Sequence, residues 1–209
     1  MPLQNRVDPF GAIRAVSARG LFMGNRGRLH DPETKILLKR RWTLKAWLIC
    51  QTTFNDRQRT VMGLSYTELF FLDEVTALAA GHRPCFECRR KAAVAYQSAW
   101  RKAAGLALLP KAQAMDHVLH SERLDGSKKR LHHLDKNTLP DGAMIEHEGT
   151  PYALKGGQLL LWRFEGYQKT PLRFDHLPQR VACLTPLANL DVLRKGYAPL
   201  WHQSAHSIA

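Results

Sequence analysis

"YTELFFLDEVTALAAGHRPCFECRR", Tyr66–Arg90, is the stretch on which the reading of this chain turns. Its opening "YTELFF" reads as a short strand. "LDEVTALAAG" then reads as a short helix, with Asp73 placed to cap it and Gly81 to end it in the left-handed conformation. A Gly-His-Arg-Pro turn leads to Cys85 and Cys88, the two ends of a C-x-x-C. That spacing is the usual half of a tetrahedral zinc site, because a tight turn brings both thiolates to one ion. The chain has only four cysteines and no second C-x-x-C, so the other half of the site must come from elsewhere.

Upstream, residues 1–30 are rich in Gly and Arg and read as loop or short strands. "RWTLKAWLICQTTF", Arg41–Phe54, alternates aromatic and β-branched residues. Trp42, Leu44, Ala46, Leu48 and Cys50 share one parity and are expected on the apolar face of a strand. "NDRQRTVMG" reads as a turn and a returning strand. Downstream, a longer helix is expected to about Ala104, with Ala92, Tyr96, Ala99, Trp100 and Ala103 on one face, and a third over Lys111–Leu124. The polar, turn-rich segment 125–142 marks a boundary. Hairpins and a strand, "RVACL", follow. "TPLANLDVLRKG" reads as a last helix with Thr185 as cap, Pro186 at its first position and Gly196 at its end.

The expected fold is therefore α+β. A zinc-binding region spans 1–90, a helical segment 91–125 and a β-rich C-terminal region 126–209 closed by a helix, as separate parts or as one continuous domain. The 209 residues, 44% hydrophobic, suffice for one large domain or two small ones.

Charge narrows the partners. The net charge is +13, from 31 Lys and Arg against 18 Asp and Glu, which suits a polyanion, DNA before RNA. No apolar run approaches a membrane span and the N-terminus has no signal-peptide core, so no membrane partner is expected and the compartment is expected to be the reducing cytoplasm. There, close cysteines more often bind metal or do redox chemistry than form structural disulfides.

Zinc is the expected cofactor. Cys50 is the natural third ligand to join Cys85 and Cys88, and His30, His82 and Cys183 compete for the fourth position. A redox dithiol is the alternative use of the C-x-x-C; that motif normally follows a strand and opens a helix.

At this point "YTELFFLDEVTALAAGHRPCFECRR" resembles the end of the zinc-binding domain of the Ada DNA-repair protein and its relatives. There a strand, a short Ala-rich helix and an R-P-C-x-x-C-R segment supply the second ligand pair. "MGNRGRLH" resembles the "GN…H" segment of small nuclease-associated zinc modules of this kind, with Gly24, Asn25 and His30 in that role. The resemblance covers about residues 21–90. It implies Cys85, Cys88 and His30 as ligands; with Cys50 from the strand, the expected set is His30, Cys50, Cys85 and Cys88. It also implies DNA as partner, with Cys50 the only candidate for the cysteine that takes a methyl group from DNA phosphate. The family's first ligand pair is close in sequence, whereas His30 and Cys50 are far apart.

A second constellation lies in "MDHVLHSER", where Asp116, His120 and Arg123 form one helical stripe. A carboxylate beside an imidazole is an acid–base pair. Glu122 falls among Met115, Val118 and Leu119 on the apolar face, where a carboxylate has a raised pKa unless paired. Asp116, His120 and Glu122 are thus the catalytic candidates, weighed against a surface pair and a paired helix-end glutamate. For nucleic acid, the candidates are Arg19, Asn25, Arg26 and Arg28 in the Gly-rich segment, Arg89 and Arg90 after the cysteines, and Lys128, Lys129 and Arg130 in the basic loop. "RQR", Arg57–Arg59, adds further positive charge, and Trp42, Phe86 or Trp162 offer stacking surfaces.

These readings combine into a zinc-stabilised DNA-binding protein acting in repair, restriction or processing of modified DNA. Its zinc would be structural, and any catalysis would be hydrolysis of a glycosidic or phosphodiester bond. The alternatives are a non-catalytic DNA- or RNA-binding regulator and a C-x-x-C oxidoreductase.

Overall fold

The structure is a computed structural model, described here for residues 1–58 and 60–208. It is α+β, as expected. The N-terminal sheet is built from β1 (Gln4–Val7), β2 (Ile13–Ala15), β3 (Phe22–Asn25), β4 (Leu48–Cys50) and β5 (Leu69–Phe71). After α1 (Glu74–Ala79) the chain adds β6 (Arg83–Pro84), giving the order β2-β1-β5-β3-β4-β6. Strands β1 and β5 pair in parallel, as do β4 and β6; the other pairings are antiparallel.

Two helices follow, α2 (Arg90–Ala103) and α3 (Ala112–Arg123), then a small hairpin of β7 (Leu124–Asp125) and β8 (Lys128–Lys129). The second sheet holds β9 (His132–Asp135), β10 (Met144–His147), β11 (Thr150–Lys155), β12 (Gln158–Arg163), β13 (Gly166–Gln168) and β14 (Arg180–Cys183). It is antiparallel in the order β13-β12-β11-β10-β14-β9, and α4 (Leu187–Arg194) follows it.

Helix α1 joins the two halves. All six of its residues are buried, which requires apolar contacts on every side. Ala77 and Leu78 pack with Val7, Ile49 and Phe71 of the first sheet and with Tyr96, Trp100 and Val192. Val75 and Ala79 pack with Met144, Leu160 and Trp162 of the second sheet. Both caps form as read: Asp73 accepts from the Thr76 amide, and Gly81 sits at φ +91°. The apolar clusters thus cross residues 90 and 125, and the segment 125–142 supplies β9, which pairs with β14. It is part of a sheet rather than a linker.

The acids that open α1 fasten distant segments. Asp73 also accepts from Tyr167 Oη at 2.9 Å and the His202 amide at 3.0 Å. Glu74 takes both arms of Arg89 at 2.7 and 2.9 Å, Tyr197 Oη at 2.6 Å and the Leu200 amide at 3.0 Å.

Three local expectations are corrected. In Arg41–Phe54 only Leu48–Cys50 is strand, and the core takes the opposite parity: Trp47 and Ile49 are buried, while Trp42 and Leu44 are 37% and 52% exposed. The amides of Thr43 and Leu44 both bond to the Arg26 carbonyl, which bends the chain before the strand begins. "NDRQRTVMG" forms turns, with Asn55, Asp56 and Met62 at positive φ, and its described residues hold no strand; Arg59 lies outside the described residues. Thr185 does not cap α4. Its hydroxyl accepts from the Met144 amide, Pro186 takes the cap position, and Glu122 of α3 accepts from the Ala188 amide at 2.8 Å.

Candidate metal centre

Strand β4 ends at Cys50 and pairs in parallel with β6. The Cys85 amide continues that pairing by donating to the Ile49 carbonyl at 2.9 Å, which sets Cys85 beside Cys50. The chain then turns, with the Arg89 amide on the Cys85 carbonyl at 3.1 Å, and α2 starts. The turn returns Cys88 to the end of β4, where the Gln51 amide points at its Sγ at 3.4 Å; the Glu87 amide points at Cys85 Sγ at the same distance. Cys50, Cys85 and Cys88 are free thiols whose sulfurs all lie within 4.8 Å of one another. Thiolates at ~2.3 Å from a tetrahedral zinc stand about 3.8 Å apart, so the trio can hold a metal ion with little movement.

Their protons are shared. Hydrogen bonds from Cys50 and Cys88 hold Cys85 down to about 2. Hydrogen bonding to Cys85 and Cys88, then burial, pushes Cys50 far up. For Cys88 the bond with Cys50 pulls down, but the bond with Cys85 and burial outweigh it and its pKa is raised. Cysteine ligates as the thiolate, so a dication bound here would displace the protons that the three sulfurs share.

The cluster opens into a pocket of about 320 Å³. Met23, Asn25 and Leu48 form one wall; Tyr66, Glu68 and Phe70 form another. Glu68 is 2% exposed. Its Oε2 accepts from the Met62 amide at 2.8 Å, and its Oε1 is buried with no hydrogen-bond partner among the described residues. Glu68 did not emerge from the sequence reading. The signal was available in the alternation of "YTELFF": Tyr66, Glu68 and Phe70 share the pocket parity, whereas Thr67, Leu69 and Phe71 are buried on the other side.

The three fourth-ligand candidates lie outside the cluster. His30 is fully buried, its Nδ1 accepting from Thr67 Oγ1 at 2.6 Å and its Nε2 donating to the Gly63 carbonyl at 2.8 Å. With both ring nitrogens taken, it braces the segment that carries Glu68. The Leu29 amide on Thr67 Oγ1 and the Thr67 amide on the Gly27 carbonyl strengthen that brace. His82 donates to the Leu48 carbonyl at 3.1 Å and accepts from Arg26 Nε at 3.0 Å; burial and Arg26 keep it neutral, well below the usual imidazole range. Cys183 lies in the second sheet, its thiol donating to the Met144 carbonyl, and burial pushes it up to about 11.

The catalytic candidates are dispersed. Both oxygens of Asp116 are bound by buried Arg83, at 2.8 and 2.7 Å, and Arg83 directly precedes Pro84 and Cys85. His120 packs edge-on against Trp42 and accepts from Arg123 at 2.9 Å. Glu122 does have the raised pKa expected of it, chiefly from burial, but it serves as the cap of α4. None of the three lines the thiol pocket.

Of the nucleic-acid candidates, Arg19, Arg28, Arg90, Lys128 and Arg130 are exposed. Arg26 is fully buried, Arg89 is locked on Glu74, and Lys129 reaches inward to the Ala79 carbonyl, so none of these three lies on the open surface. Asn25 is buried, accepts from the Gly27 amide and lines the thiol pocket. Trp162 is core, with its Nε1 donating to Thr76 Oγ1. No helix among the described residues is long and apolar enough to cross a membrane.

No family model, curated protein or solved structure matches the chain.

Proposed function

We propose that the protein is a zinc-dependent hydrolase acting on nucleic acid, with Cys50, Cys85 and Cys88 as the metal ligands. One observation carries this reading: the partnerless, buried Oε1 of Glu68 lines the same pocket as the three sulfurs. Structural zinc is closed by four protein ligands, whereas catalytic zinc keeps three and leaves the fourth position for water. A zinc held by the three sulfurs would supply a water acidified towards neutrality. Glu68 would serve as the proton-transfer group beside it. The role given by sequence to Asp116, His120 and Glu122 passes to Glu68, and His30 becomes the residue that positions it. The third thiol supports metal binding over a redox dithiol. The exposed basic residues and the charge of +13 support a polyanionic substrate.

Metal analysis combined with zinc-edge absorption tests the centre. The expected result is about one zinc per chain, with three sulfurs and one oxygen in its shell. Cys50→Ser is expected to lose at least about tenfold in zinc affinity. A shell of four protein ligands would return the site to a structural role in a non-catalytic DNA-binding protein. No bound metal would leave a dithiol.

A further inference from the structure

The protein pairs two of its buried arginines with carboxylates, Arg83 with Asp116 and Arg89 with Glu74, each through two hydrogen bonds. It treats two others differently. Arg26 and Arg123 are 0% and 1% exposed, both stack on Trp47 at 3.9 and 3.8 Å from the ring centroid, and neither forms a salt bridge among the described residues. Their hydrogen-bond partners among the described residues are neutral: His82 and the Gly11 carbonyl for Arg26; the Gly81 and Lys45 carbonyls and His120 for Arg123. Half-buried Arg41 joins them, bonding to the Ser127 and Gly11 carbonyls. Asp8 is the acid that acts on Arg26, and its oxygens are engaged by the Ala12 amide and by Arg14. Burial and the neighbouring cations Arg41 and Arg123 depress Arg26 well below its ordinary value. A buried guanidinium is normally paired. Here the cations outnumber the anions, and Arg26 Nη2 is buried without a partner.

That nitrogen belongs to a residue lining a pocket of about 240 Å³, shared with Gly11, Lys39, Arg40 and Arg41. A methyl group added at Gly11 would sit 3.4 Å from Arg26 Nη2, 3.7 Å from the Ala80 carbonyl oxygen and 3.9 Å from Arg41 Nη2, so both guanidiniums border the space over the bare glycine. We propose that this pocket binds a phosphate group, held between Arg26 and Arg41 above Gly11, with exposed Lys39 and Arg40 at its mouth, and that the phosphate belongs to a nucleic-acid backbone. Forked guanidinium donors match phosphate oxygens, and a dianion or diester supplies the charge that the interior lacks. The site is separate from the thiol pocket, whose lining includes none of these residues.

Calorimetric titration tests it, using inorganic phosphate and a short DNA oligomer on wild type, Arg41→Gln and Gly11→Ala, with zinc content and melting temperature measured on each sample. Arg41→Gln removes a half-exposed side chain and is expected to fold; it should weaken phosphate binding at least about tenfold with zinc content unchanged. Gly11→Ala fills the space and should weaken binding as well; Gly11 sits at φ +75°, so the melting temperature reads the backbone strain that the substitution adds. An oligomer that competes with phosphate, and shows the same sensitivity to Arg41→Gln, supports the assignment to nucleic acid. Phosphate binding without oligomer binding keeps the pocket and overturns the nucleic-acid source. Absence of phosphate binding, or binding indifferent to both substitutions, overturns the proposal.

Discussion

Two buried glutamates six positions apart meet opposite fates. Glu74, at the start of α1, is saturated: Arg89 twice, Tyr197 and the Leu200 amide account for its oxygens. Glu68, on the wall of the thiol pocket, is left with one oxygen bare. Burying a carboxylate is costly unless donors replace the lost water. The first site meets that condition and ties the chain's end to its middle. The second does not, and a bare buried oxygen of this kind is where strain, a bound water, an ion or a catalytic role is sought. The contrast separates an acid whose partners hold the protein together from the acid proposed to act at the metal centre.

The comparison breaks most visibly at Glu74. Glu74→Ala leaves the Arg89 guanidinium buried beside Phe22 with no counter-charge. Removing one partner of such a pair costs about 3–5 kcal/mol. Urea unfolding should show that loss, together with early release of residues 197–204 in hydrogen exchange. A cost under about 1 kcal/mol would mean that the knot is incidental.

What the sequence made legible follows the range of the interactions. The caps of α1 and most of the buried face of α2, where Tyr96, Ala99 and Trp100 are joined by Ala93 rather than by Ala92 and Ala103, are set by residues close together, and they were readable. Cys50 was readable only as a free cysteine on a strand; its meeting with the C-x-x-C is set by the long-range pairing of β4 with β6. Partners fixed only by tertiary packing were not. Nothing local says that Asp116 meets Arg83, that Glu122 caps α4, or that His30 spends both nitrogens on residues 63 and 67. Only the end of the Trp42-to-Cys50 alternation holds: Leu48 and Cys50 share the pocket face, whereas Ile49 packs into the core with α1 and Trp47 is buried against Arg26, His82 and Arg123. Alternation gives two faces without saying which one meets the interior.

Glu68→Gln sharpens the contrast with the opposite sign. The amide oxygen can still accept from Met62, and a neutral NH₂ replaces the bare, buried oxygen. The metal-free variant should therefore be as stable as wild type, or more stable by up to about 1 kcal/mol. Turnover of any substrate found for the protein should fall at least about a hundredfold, with zinc content retained. A variant that is destabilised as strongly as Glu74→Ala would make Glu68 another structural acid.

The smallest effect belongs to Glu122, which stands between the two cases, half-buried with one backbone donor. Burial raises its pKa, the Ala188 amide opposes this, and Asp191 adds to it. The folded state thus holds the proton more tightly than the unfolded chain does. Its favourable contribution is complete below the unfolded value near ~4.3 and is lost as pH rises through the folded value. At pH 7 the ionised carboxylate is a net cost, although its charge suits the N-terminus of α4. Glu122→Gln keeps an acceptor for Ala188 and removes that cost, so the variant should gain up to about 1 kcal/mol at neutral pH. The gain should shrink as pH falls towards 4, where wild-type Glu122 is protonated as well. Paired urea melts at the two pH values read the difference directly. A variant less stable than wild type at pH 7 would show that the charge on the cap outweighs its burial, and would place Glu122 with Glu74 among the acids whose surroundings fully satisfy them.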